Sequence, residues 1–229
     1  MENQEKKDQS YYRGTRHDVF ALVPANVHRI LEIGCGSGRF RQNFKDDVEY
    51  WGVEPVQMAA QEAVGLTRVL VGTLDAVADS LPDGYFDLVV CNDVIEHIVD
   101  TQQTLAIIRA KMTADGWLVG SLPNVRSVWV LLDLIFRRDW RYREYGVLDS
   151  THVRFFTFKS ARRMLTEGGF KIEEFRGRAL GDIWWAKVLL VLLSPIICCL
   201  GWDVCRTQML FRARKGVQNA SGGPVAKST

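Results

Sequence analysis

The chain is poor in several things, and each shortage removes a class of protein. Only five of its 229 residues are cysteine (Cys35, Cys91, Cys198, Cys199 and Cys205), and none stands in a paired Cys-x-x-Cys pattern. That excludes a disulfide scaffold and a zinc ribbon, and leaves five thiols in a reducing compartment as the expectation. Net charge is small: 29 Lys and Arg against 27 Asp and Glu give +2. No global field therefore points to a nucleic-acid partner. There is no internal repeat. The first ten residues are polar and charged, so no targeting signal is expected there. Residues 1–10 and 216–229 read as disordered tails. One apolar run approaches membrane-spanning length, residues 183–200, but Lys187 and Pro195 interrupt it. It also falls between two strands of one sheet, which a true span would have to re-enter from the same side.

What remains is 47% apolar content, enough for a single α/β domain over residues 11–215. The densest signal lies in Arg29-Ile-Leu-Glu-Ile-Gly-Cys-Gly-Ser-Gly-Arg39. Ile30, Leu31 and Ile33 form a short apolar run, as a buried parallel strand requires. Gly34, Gly36 and Gly38 then allow a sharp turn with no Cβ between backbone and ligand. A helix after the turn would aim its first amides at that ligand. The dinucleotide fingerprint G-x-G-x-x-G would place its third glycine at residue 39, which is Arg39. A phosphate loop would need Gly-Lys-Ser or Gly-Lys-Thr, which is absent. Glu32, two residues before the first glycine, would repel a pyrophosphate and suits a cation.

Further strands follow in order. Val48–Val53 ends at Glu54, where a carboxylate can accept both hydroxyls of a ribose. Arg68–Val71 ends at Gly72-Thr-Leu-Asp75, and Tyr85–Val90 leads into Cys91-Asn-Asp-Val-Ile-Glu-His97. Gly116–Ser121, Phe170–Phe175 and Thr207–Ala213 read as the fifth to seventh strands. Helical patterns fall near 38–45, 55–64, 101–112 and 159–168. Strands alternating with helices predict a Rossmann-like, doubly wound α/β sheet with the ligand beyond its carboxyl edge.

The E-x-G-x-G-x-G turn, the acid at Glu54 and the two later turns together resemble class I S-adenosylmethionine-dependent methyltransferases. The resemblance implies S-adenosyl-L-methionine as cofactor, with Glu32 orienting its cationic methionine end. It implies further contacts from Gly34, Cys35, Gly36, Gly38, Glu54, Pro55, Gly72, Thr73, Leu74 and Asn92. It also implies a seven-stranded sheet whose last strand runs antiparallel beside the fifth. Nucleic-acid methylation is not expected, because Cys91-Asn-Asp-Val94 stands where an Asn/Asp-Pro-Pro-Tyr motif would be.

Methyl transfer to a hydroxyl needs a base, and the sequence has four histidines. His28 precedes the first strand, away from the ligand. His17 lies in a Tyr11–His17 segment that would serve as a lid. His97 follows the fourth strand at the ligand edge. His152 lies in Leu148-Asp-Ser-Thr-His-Val-Arg154, with Asp149 placed to orient its ring and Arg154 placed to bind an anionic acceptor. No ligand cluster compels a metal. The stretches Ser121–Val125, Leu148–Thr157 and Leu165–Phe170 resemble a branch of bacterial enzymes tied to cell-surface polysaccharide or glycolipid biosynthesis, similar to quinone-ring O-methyltransferases. That branch implies a sugar hydroxyl as acceptor, with Asn124, Tyr145 and Arg154 on the acceptor side; a lipophilic quinone or phenol is the alternative. A non-catalytic, membrane-recruiting protein is the third reading.

Two apolar insertions, near 127–145 and at 183–200, have three open uses: a cap on the domain, an interface with a second copy, or peripheral contact with the bilayer. The arginines from Arg137 to Arg143 suit anionic headgroups or a phosphate-bearing acceptor. The expected location is cytoplasmic, at the inner face of the membrane if the bilayer reading holds.

Overall fold

A computed structural model describes residues 15–179 and 201–216. Seven strands form one sheet: β1 (Arg29–Ile33), β2 (Glu49–Glu54), β3 (Arg68–Val71), β4 (Phe86–Asn92), β5 (Met112–Pro123), β6 (Phe170–Ala179) and β7 (Arg206–Lys215). Their order is β3-β2-β1-β4-β5-β7-β6. The first five run parallel, and β7 is antiparallel to both β5 and β6. The expected sheet and its reversed last strand are both present. Helices α1 (His17–Phe20), α2 (Gln57–Gln61), α3 (Leu74–Val77), α4 (Thr101–Lys111), α5 (Val128–Leu132) and α6 (Phe158–Glu167) fill the connections.

Strand alternation divides the apolar residues between two cores. Leu31 and Ile33 of β1 pack with Val53, Val89, Leu105 and Ile108 on one face, whereas Ile30 packs with Tyr50, Leu88 and Val90 on the other. Burial on both faces explains why β1 and β4 read as continuous apolar runs. The β4–β5 seam is tight: a Cβ on Gly120 would sit 2.1 Å from the carbonyl oxygen of Cys91. Strand order reverses at β1, between β2 and β4, and a crevice opens at the carboxyl ends of these strands.

Two element expectations change. Residues 38–45 form only a four-residue 3₁₀ turn, Phe40–Asn43. The chain leaves Gly38 at φ +79° and becomes extended again at Phe44, so no helix dipole faces the glycine turn. The pattern at 55–64 shortens to α2. By contrast α4 and α6 are well capped: Asp100 accepts the Gln103 amide at 2.9 Å, and Thr157 and Ser160 form a reciprocal capping box.

The first insertion runs from α5 straight into a π turn, Asp133–Arg137, that ends where Arg138 takes φ +54°. Arg137 and Arg143 both pair with Asp133, at 2.7 and 2.6 Å. Leu134, Ile135 and Phe136 are exposed on its surface. The second insertion, 183–200, the Tyr11–Gly14 part of the lid segment, Cys198, Cys199 and both tails lie outside the described residues, except for Gly216. Among the described residues no helix is long and apolar enough to cross a membrane.

Candidate active site

A cavity of about 740 Å³ occupies the crevice, a size suited to a nucleoside-sized ligand with a small acceptor. Glu32, Gly34, Cys35, Gly36, Glu54 and Pro55 line it from β1 and β2. Gly72, Thr73 and Leu74 line it after β3, and Asn92 lines it from the end of β4. These ten expected cofactor residues thus meet around one space. Gly38 is different: a Cβ there would come within 2.5 Å of Leu66 and 2.9 Å of the Val64 carbonyl, so its place is in loop packing.

The glycine turn is held by the carboxylate expected to hold a ribose. Glu54 Oε2 accepts the Gly36 amide at 2.8 Å, and its Oε1 accepts the Val56 amide at 2.9 Å. Two backbone bonds fix the group with lone pairs to spare, since each carboxylate oxygen can accept more than once. Gly34 sits at φ +70°, and a Cβ there would meet Val94 Cγ2 at 2.6 Å, so only glycine leaves this wall clear.

Glu32 lies one layer deeper. It is buried, and Tyr50 donates its hydroxyl to Glu32 Oε2 at 2.9 Å. Burial, reinforced by repulsion from Glu54 and opposed by the Tyr50 bond, pushes the Glu32 carboxyl up to about 8. Burial also raises Glu54, and its two backbone bonds moderate the rise. Two acids with raised proton affinity facing one cavity describe a place that gains from a cation. A sulfonium nucleoside with a free amino group fits that charge, and a pyrophosphate does not. Burial pushes the Cys35 and Cys91 thiols well up as well, so neither is a reactive thiolate.

At the far side of the cavity are Asp93, Val94, His97 and Val99. Asp93, with φ +53°, is a residue that sequence reading passed over. It accepts from Ser121 Oγ at 2.8 Å, from Gln208 Nε2 at 2.9 Å, and from Arg16, which reaches in from the N-terminal segment. Only a chain folded so that residues 16, 93 and 208 meet reveals this closure. His97 lines the cavity, and His152 packs behind it with ring centroids 4.8 Å apart. Glu96, wholly buried, joins them.

The remaining expected residues lie around this core. Asp149 is buried; its Oδ1 accepts from the Thr151 amide and hydroxyl at 2.8 and 2.7 Å, while the His152 Nδ1 rests on the Val147 carbonyl at 3.0 Å. Asp149 thus shapes the loop, and the Val147 carbonyl holds the His152 ring through Nδ1. Arg154 holds the carbonyl of Val99. Asn124 is buried away from the cavity; its amide donates to the carbonyls of Asp203 and Arg206, both at 2.8 Å. Tyr145 is exposed beside a second cavity walled by the 127–148 insertion.

A Rossmann-like sheet with a reversed last strand, a glycine turn at the end of β1 and an acid at the end of β2 define the S-adenosylmethionine-dependent methyltransferase class. The chain belongs to the methyltransferase-domain family, whose model matches residues 5–174. It is similar to the malonyl-[acyl-carrier protein] O-methyltransferase of Geobacter sulfurreducens, with 26% identity over 76% of this chain and 73% of that one. It is similar also to the ubiquinone biosynthesis O-methyltransferase of Azorhizobium caulinodans, with 29% identity over 47% and 45%. The chain spans 59% of the length of the uncharacterized mycobacterial methyltransferases that it matches at 27% identity. A crystal structure of a methyltransferase from Archaeoglobus fulgidus shares the fold, with a TM-score of 0.62, 21% identity and coverage of 90% of this chain and 94% of that one.

Proposed function

We propose that the protein transfers a methyl group from S-adenosylmethionine to a hydroxyl oxygen, and that the acceptor is a sugar of a cell-surface glycan or glycolipid precursor. The observation that carries the cofactor end is Glu54, tied to Gly36 and Val56 with its carboxylate on the cavity wall. S-adenosylmethionine held there would supply the activated methyl group for in-line displacement by the acceptor oxygen. Glu32 and Glu54 hold the charged and ribose ends; the glycine turn gives the close approach. Alignment of this kind is worth roughly 7–11 kcal/mol of barrier. The acceptor's proton is taken at the Glu96–His97–His152 cluster, with His97 on the cavity and His152 and Asp149 behind it. Arg154 and Tyr145 serve the acceptor side, and Asn124 holds the strand end from which the insertion springs.

The exposed apolar residues Leu134, Ile135 and Phe136, followed by Arg137 and Arg138, favour an acceptor met at a membrane surface. The same surface suits a lipophilic quinol, which is the second reading. Incubation with methyl-labelled S-adenosylmethionine separates them. Label entering an O-methyl group of lipid-linked oligosaccharide supports the sugar reading, label entering a quinol supports the second, and label in neither removes both.

A further inference from the structure

Glu96 and His97 belong to the short turn Ile95–His97 after β4, and His152 belongs to a loop far along the chain. Backbone bonds join the two: the amides of Val153 and Arg154 both donate to the Glu96 carbonyl at 3.0 Å. One potential ligand atom from each of Glu96, His97 and His152 then lies within 4.8 Å of the others. The His152 Nε2 is 3.9 Å from Glu96 Oε1. Each imidazole also rests its Nδ1 on a main-chain carbonyl, His97 on Thr151 and His152 on Val147, both at 3.0 Å. A carbonyl only accepts, so Nδ1 carries a hydrogen, and in the neutral ring the lone pair is on Nε2. An outer partner that fixes this tautomer is what metal-bound histidines ordinarily have.

We propose that Glu96, His97 and His152 bind one divalent cation of the zinc type at the acceptor end of the cavity. Two neutral imidazoles and one carboxylate suit zinc and its first-row neighbours; magnesium and calcium prefer oxygen donors throughout. Metal–ligand bonds of about 2.0–2.2 Å place ligand atoms roughly 3.5 Å apart, so binding draws the cluster together by about 1 Å. His97 is only half-buried. Glu96 and His152 are buried behind it, and His97 lines the cavity. Three protein ligands so arranged leave the ion's open position toward the acceptor. A hydroxyl bound there would be a stronger acid and would pass its proton to solvent, because the ligated imidazoles then have no free lone pair; this use of the ion would replace direct proton uptake by the histidines and rests on the hydroxyl-methylation reading, and the binding itself does not.

The test uses the full chain, stripped with a chelator and desalted. Zinc chloride is titrated in competition with a chromophoric chelator, and cobalt chloride is followed by visible absorption. The expected result is one equivalent per chain, weakened in Glu96→Gln and in His152→Ala by more than the roughly 10–100-fold that loss of an outer partner costs. S-adenosylhomocysteine is titrated into each protein in parallel, and its retained binding shows that a variant is folded. If His152→Ala loses that binding, His97→Gln replaces it. A wild type that binds no metal, or metal affinity unchanged in Glu96→Gln and His97→Gln, overturns the site. A wild type that binds metal but no S-adenosylhomocysteine contradicts the methyltransferase reading alone.

Discussion

Tyr50 donates its phenolic hydroxyl to the buried carboxyl of Glu32 at 2.9 Å, across the β1–β2 pair. The bond keeps an acid in place where burial opposes its charge, at the inner wall of the cofactor cavity. Its charge state is therefore open to what binds beside it.

Glu32 should make cofactor affinity depend on pH. Its proton affinity rises on folding, to about 8. In the ligand-free protein its contribution to stability is therefore full below the ordinary carboxylate range and is lost as pH rises through about 8. A cationic ligand favours the ionised form, so affinity follows the opposite sign. Calorimetry should find S-adenosylmethionine binding strengthening toward pH 8, by up to about tenfold per unit, then levelling. Glu32→Gln should flatten the profile; an unchanged slope in that variant would assign the dependence to another group.

The β4–β5 seam should not tolerate a methyl group. Gly120→Ala places a Cβ 2.1 Å from the Cys91 carbonyl oxygen, a backbone atom that cannot turn aside. Denaturant unfolding should show a loss of about 3 kcal/mol or more. Gly84→Ala, with φ +60° but nothing within 4 Å of the new Cβ, should cost only about 1 kcal/mol.

His152→Ala should lower turnover by about 10²–10⁴-fold while leaving S-adenosylmethionine affinity within a factor of two or so. Single-turnover transfer of labelled methyl measures the first and calorimetry the second. Wild-type rates would remove the cluster from proton transfer.

Phe136 is 76% exposed on the π turn, beside Arg137 and Arg138. Phe136→Asp should reduce co-sedimentation with vesicles containing anionic lipid and leave cofactor binding intact. Failure of the wild type to sediment would dismiss the membrane contact.

The residues proposed for the cofactor, which meet around one cavity, were legible because their signals are local. Glu32, the glycines and Glu54 sit at fixed places relative to strands whose apolar runs announce themselves. Two local signals misled: residues 38–45 carry a helical pattern, but positive φ at Gly38 and the extended Phe44 cut it to one turn, and the pattern at 55–64 shortens to Gln57–Gln61. The residues proposed for the acceptor depend on contacts between distant segments. Nothing near His152 in sequence points to Glu96; the two meet because Val153 and Arg154 donate to the Glu96 carbonyl. Asn124 shows the converse, a polar residue beside the expected site whose amide is wholly taken by Asp203 and Arg206. Arg16, Asp93 and Gln208 likewise become a group only through folding.

The most direct test of the account is calorimetric titration of S-adenosylmethionine into the wild type and Glu54→Ala. On the proposed reading, removing the carboxylate loses charged hydrogen bonds to the ligand; it also frees the Gly36 and Val56 amides that shape the glycine turn. Such bonds are worth about 1.5–3 kcal/mol, so affinity should fall roughly 10–100-fold. Equal affinity in the two proteins would place the cofactor elsewhere and contradict the account.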